Sequence, residues 1–120
     1  MFIEIDSTTS RPIFDQVAQQ LKFAIAAGTI RTEEMIPSVR DLARRLAVNP
    51  TTIVRAYRIL QDEGILVSQR GVGLVVAKNA QDECKKQRKG FFQKRFQSFL
   101  EAADRSGLTR KELEEILTKH

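Results

Sequence analysis

Between residues 12 and 27 apolar side chains recur at steps of three and four. Ile13, Val17, Leu21, Ala24 and Ile25 form the stripe of an amphipathic helix. Pro12 suits its first turn and Gly28 its stop. Upstream, Phe2, Ile3 and Ile5 are apolar enough for a short strand. From Pro37 the pattern tightens. Ser38 is placed to cap a helix, Asp41 stands three positions on as in a capping box, and Val39, Leu42, Ala43 and Leu46 give the buried side as far as about Ala47. Asn49 is a second cap and Pro50 fits a first helical position, so another helix begins after a turn of only a few residues. It runs to about Glu63, with Ile53, Tyr57 and Leu60 on one stripe and Thr51, Thr52, Arg55, Arg58 and Asp62 away from it. Two helices joined this closely must turn sharply.

Gly64 ends that helix. Ile65 to Ser68 and Leu74 to Ala77 are rich in β-branched residues and predict two strands around Gln69, Arg70, Gly71, Val72 and Gly73, a hairpin with a basic, glycine-rich tip. After Lys78 the helical period returns, and Phe92, Phe96, Phe99 and Ala103 follow at steps of four, three and four. Gly90 is an interior weak point of this long helix, and whether it breaks the helix is left open. Gly107 closes it, and Thr109 with Glu112 opens a last helix whose apolar positions are Leu113, Ile116 and Leu117. The expected fold class is α+β, mainly helical: a winged helix-turn-helix over residues 1–78, then a two-helix segment over 79–120.

Composition adds little until its distribution is considered. Hydrophobic residues at 42% and charged residues at 29% are those of an ordinary globular chain. Twenty basic against 15 acidic residues give a net charge of +5, which favours a polyanionic partner. The excess is local. Residues 40 to 58 carry Arg40, Arg44, Arg45, Arg55 and Arg58 against Asp41 alone, while the rest of the first 77 residues nets negative. A second group, Lys85, Lys86, Arg88, Lys89, Lys94 and Arg95, falls in the long helix and is read as a solvated face. Cys84, the single cysteine, fits a reducing compartment, and no secretory signal or run of 18 apolar residues occurs, so a cytoplasmic protein without membrane partners is expected.

A helix, a tight turn, a polar-faced second helix and a basic hairpin suit double-stranded DNA. The second helix fits the major groove, where its first turn meets base edges and phosphates while the preceding helix braces it. Thr51 and Thr52 offer hydroxyls to phosphate or a thymine methyl contact, and Arg55, one turn on, reaches a guanine edge. Gly71 keeps the hairpin tip slim and Arg70 gives it charge, as the narrow minor groove demands. Plainer readings exist beside these: Arg40 can balance Asp41 or Asp62, the threonines can serve helix initiation, and Tyr57 belongs to the core.

Residues 36 to 77, IPSVRDLARRLAVNPTTIVRAYRILQDEGILVSQRGVGLVVA, resemble the DNA-binding domain of the GntR family of bacterial transcription regulators. The resemblance rests on the PSVRDLA run, the VNPTT turn, the AYRIL helix, the EGIL segment and the RGVG wing. The short C-terminal part resembles the YtrA-like subfamily, whose members lack a large effector domain and dimerise through two helices. The resemblance implies that Arg40 meets the DNA backbone or a base from the first helix of the pair, and Ser38 and Arg44 are expected beside it among the DNA-binding residues. It places Asn49, Thr51 and Thr52 at phosphates, and Arg70 with Gly71 at the minor groove. Many members carry arginine directly after the Thr-Thr-aliphatic run, where this chain has Val54, and Pro50 replaces an often polar residue. Base readout is therefore expected to move to Arg55 and Arg58.

The phenylalanines have no obvious core of their own, since four of the seven lie between positions 91 and 99. Phe91, Phe92, Phe96, Phe99, Leu100, Leu113, Ile116 and Leu117 are expected to form a homodimer interface, which would offer two reading helices to a pseudo-palindromic operator. Packing back onto the first domain is the alternative. Catalysis is not expected: His120 is the sole histidine, and no metal-ligand cluster or phosphate-cradling glycine motif appears, so no metal or cofactor is predicted. A winged-helix module for protein contact is the competing function. A small-molecule effector is left open, with an intersubunit cavity as its only roomy location.

Overall fold

A computed structural model describes residues 3–120. The order of elements is α1 (Ile13–Ala27), α2 (Val39–Leu46), α3 (Pro50–Asp62), β1 (Leu66–Gln69), β2 (Gly73–Val76), α4 (Ala80–Ser106) and α5 (Arg110–Lys119). Two compact units follow along the chain, Met1–Arg88 and Lys89–His120.

In the first unit α1 and α2 both pack on α3, and α3 on β1. Val17, Leu21 and Ile25 of α1 meet Ile53, Ala56, Tyr57 and Leu60 of α3 in one cluster, closed by Leu42, Ala43, Ile65, Leu66 and Val76. Fully burying side chains of this size contributes about 1.5–3 kcal/mol each. The start of α4 belongs to the same core through Ala80 and Cys84. Burial pushes the Cys84 thiol up to about 11, against the opposing charge of Lys22.

Both caps of the helical pair form. The Ser38 hydroxyl accepts the Asp41 N–H at 3.1 Å and the Asn49 side chain accepts the Thr51 N–H at 2.9 Å. Between them Ala47 ends α2 in the left-handed region, φ 55°, and this single residue makes the sharp turn. In the hairpin Leu66 pairs with Val76 and Gln69 with Gly73. The strands sit one residue tip-ward of the expected bounds, leaving Arg70, Gly71 and Val72 as the loop. Gly71 at φ 79° is the third residue of a turn closed by Val72 N–H to the Gln69 carbonyl at 3.0 Å.

Two features differ from expectation. Ile3 and Ile5 lie in no strand, and Phe2 falls outside the described residues. Two glutamines one turn apart on α1 take the place of a partner strand. Gln16 accepts the Asp6 N–H at 2.8 Å and donates to the Asp6 and Arg11 carbonyls, and Gln20 pairs with both backbone groups of Glu4. Residues 33–36, which carry no strand signal, run along the outer edge of β2: Glu33 N–H donates to Val76 O, Val76 N–H to Glu34 O and Ile36 N–H to Leu74 O, with a bridge between Met35 and Val75. They satisfy an edge that would otherwise expose its backbone. Gly90, whose effect on α4 the sequence leaves open, lies inside an uninterrupted helix.

In the second unit Gly107, φ 82°, ends α4, and Thr109 and Glu112 form both halves of a capping box at the start of α5. Ala103 is buried, whereas Phe92, Phe96, Phe99, Ile116 and Leu117 are 42–57% exposed. Leu100 and Leu113 are half-buried. Phe96 and Phe99 stack with centroids 6.5 Å apart. Phe91 leaves this stripe: Arg95 lies 4.6 Å over its ring, and Phe91, Lys94, Arg95, Ser98 and Phe99 line an open groove.

Candidate nucleic-acid interface

Thr51, Arg55, Arg58 and Asp62 succeed one another at steps of four, three and four along α3, opposite the buried stripe of Ile53, Tyr57 and Leu60. Thr51, Arg55 and Arg58 are exposed there. Thr52 is half-buried, because its position turns it partly toward the core. Ser38 and Asn49 both spend an acceptor on a cap, so only their donors and remaining lone pairs face outward.

The arginines divide by what holds them. Arg44 stands 4.0 Å from Asp41, an exposed pair of little energetic weight. Arg40, Arg45, Arg58 and Arg70 are exposed and have no ion-pair partner among the described residues. Arg40 therefore balances neither Asp41 nor Asp62. Arg55 is committed in another way, its guanidinium lying 3.9 Å over the ring of Phe14 on α1. Such a contact holds the cation without neutralising it.

A cleft lined by Met35, Pro37, Ser38, Asp41, Arg45 and Val72 separates the start of α2 from the loop end of the wing. Beneath it Tyr57, 2% exposed, donates its hydroxyl to the Pro37 carbonyl at 2.7 Å. Phe14, Arg45 and the Tyr57 hydroxyl join the candidate residues named from sequence. Arg45 was visible as charge. The other two depend on contacts between helices, which periodicity does not report.

A short helix pair capped at both starts, a core helix beneath it and a glycine-tipped hairpin beside it constitute a winged helix-turn-helix. The family described as "Bacterial regulatory proteins, gntR family" matches residues 13–76, more than half of the chain. The chain belongs to the GntR family. Among its relatives, the HTH-type transcriptional repressor YtrA of Bacillus subtilis is 40% identical over 78 residues, which are 65% of this chain and 60% of that protein. The chain thus spans less than two thirds of that repressor. A GntR family transcriptional regulator from Listeria monocytogenes superposes with a TM-score of 0.77 at 28% identity, over 97% of this chain and 99% of that one. AraR(DBD) in complex with operator ORX1 gives a TM-score of 0.54 at 30% identity, over 64% of this chain and 93% of that one.

Proposed function

We propose that this chain is a dimeric transcription repressor that occupies a pseudo-palindromic operator, with α3 in the major groove and the wing at the minor groove. The observation that carries this reading is the set of exposed arginines without ion-pair partners, Arg40, Arg45, Arg58 and Arg70, gathered on α2, α3 and the wing tip. Cations left unpaired by the protein's own carboxylates are available to phosphate, and releasing DNA counterions rewards their use. Arg55 and Arg58 read base edges. Thr51, Asn49 and Ser38 hold phosphates beside them, with Arg44 at the flank.

Pairing is assigned to the second unit. Phe96, Phe99, Ile116 and Leu117 place four large apolar side chains in solvent on 32 residues, far more than an isolated helical pair can cover. A second copy covers them and sets two reading helices side by side. The repressor called YtrA and the operator complex of AraR(DBD) support the repressor and operator-binding parts of the proposal.

Selection of bound fragments from random-sequence DNA tests the function. A two-fold enriched motif is expected, and recovery of unrelated sequences would leave a winged-helix module for protein contact. Phe96→Glu with Phe99→Glu is expected to give monomers in sedimentation at micromolar concentration, with weaker binding to the selected motif.

A further inference from the structure

The two helices of the pair are joined covalently at one end only. Residues 47–49 connect the end of α2 to the start of α3, whereas Arg40 and Ser38 lie at the far end of α2. Leu42 and Ala43 pack α2 against α3, but apolar packing is non-directional and tolerates sliding. The segment before α2 is tied to the wing by the Ile36 N–H bond to the Leu74 carbonyl at 3.0 Å, and one directional contact ties it to α3. The Tyr57 hydroxyl, carried by α3, donates to the carbonyl of Pro37 at 2.7 Å, and Pro37 immediately precedes the cap Ser38.

Resting on the DNA-binding reading above, we propose that Tyr57 is a positioning residue, whose hydroxyl holds the first turn of α2 against α3 so that Arg40 and Ser38 meet the same duplex as Thr51 and Arg58. Its ring is 2% exposed and so does not touch DNA itself. Phenylalanine would fill the same volume, so the hydroxyl is not needed for packing. Burial holds the phenol above its ordinary pKa, against the charge of Arg45 and with that of Asp41, and the group remains a donor throughout the range in which DNA is bound. Asp41 and Arg45 also line the cleft between α2 and the wing, so a displaced first turn would disturb that cleft as well.

The test is a double-mutant cycle in operator affinity between Tyr57→Phe and Arg40→Ala, using the sequence selected by the wild-type chain and accompanied by urea unfolding of each variant. Tyr57→Phe is expected to stay folded and to bind roughly three- to tenfold more weakly, with Arg40→Ala costing less in that background than in the wild type. Its salt slope should fall toward that of Arg40→Ala, which a loss of stability alone would not produce. Replacement of Tyr57 by 4-aminophenylalanine, which restores a donor, should recover binding. Wild-type affinity in a folded Tyr57→Phe protein, or strictly multiplicative effects in the cycle, would overturn the proposal while leaving DNA binding intact. Should Tyr57→Phe not fold, 4-fluorophenylalanine at 57 replaces it in the cycle; failure of both to fold makes the hydroxyl a global stabiliser and overturns the positioning role. A wild-type chain that selects no sequence removes the DNA-binding reading and this proposal with it.

Discussion

The guanidinium of Arg55 lies 3.9 Å above the ring of Phe14, so an arginine of α3 is held in place by the first helix of the fold. An unrestrained arginine loses rotamer freedom when it docks on a base, and a side chain already stacked loses less. In the proposed complex α1 therefore acts on recognition as well as on the core.

Phe14→Leu should keep the fold, because Phe14 is only partly buried beside the core. Operator affinity is expected to fall roughly two- to fivefold, the range of an exposed cation–π contact. Arg55→Ala should cost more and relax discrimination at one base pair of each half-site. Anisotropy titrations on the selected operator and on single-base variants check this; equal losses on all sequences would contradict base readout by Arg55.

Two backbone positions are predicted to be improvable. Ala47 holds φ 55°, a conformation that costs an L-residue about 1 kcal/mol and glycine almost nothing. Ala47→Gly should gain about 0.5–1 kcal/mol in urea unfolding. Gly90 is the converse case: it sits inside α4, and an added Cβ meets nothing within 4 Å. Gly90→Ala should raise helix stability by about 0.5–1 kcal/mol. A loss on either substitution would contradict the geometry described.

Lys22, Glu63 and Gln87 tie α1, the end of α3 and α4 together. Lys22 Nζ lies 2.8 Å from Glu63 Oε2 and 2.9 Å from Gln87 Oε1, while Gln87 donates to Glu63 Oε1 at 2.8 Å. Burial pushes the Glu63 carboxyl up, but the hydrogen bonds from Lys22 and Gln87, with the charge of Lys22, outweigh it and hold the pKa below its ordinary value. A carboxylate lowered on folding adds stability above its unfolded pKa, about 4.3, and that stability is lost as the pH falls through the folded value. Glu63→Gln is therefore predicted to be less stable than the wild type near neutrality, with the gap closing in acid. Urea unfolding at about pH 7 and about pH 3 measures it; a gap unchanged in acid would sink the assignment.

Much of this arrangement is legible from sequence because its signals are local. Ser38, Asn49 and Thr109 announce helix starts through the bonds they form a few residues on, and Gly71 announces the turn that needs it. Non-local pairings leave no such trace. Residues 33–36 join β2 through backbone groups whatever their side chains, and the pairing of Gln16 and Gln20 with Asp6 and Glu4 replaces a strand that apolarity at Ile3 and Ile5 appeared to promise. Gly90 leaves the helix unbroken, since a propensity cost near 1 kcal/mol is small beside the cooperativity of a 27-residue helix. In the site, arginine clustering was plain along the chain. That Arg55 stacks on Phe14 and Tyr57 bonds to Pro37 required knowing which helices touch.

In the proposed complex, exposed arginines on α2, α3 and the wing bind DNA phosphates and base edges. The most direct measurement is the dependence of operator affinity on salt, as log K against log [salt], for the wild type, Arg40→Ala and Arg70→Ala. Each substitution is predicted to weaken binding and to reduce the slope by about 1, the loss of one phosphate contact. Wild-type affinity and an unchanged slope in both variants would contradict it.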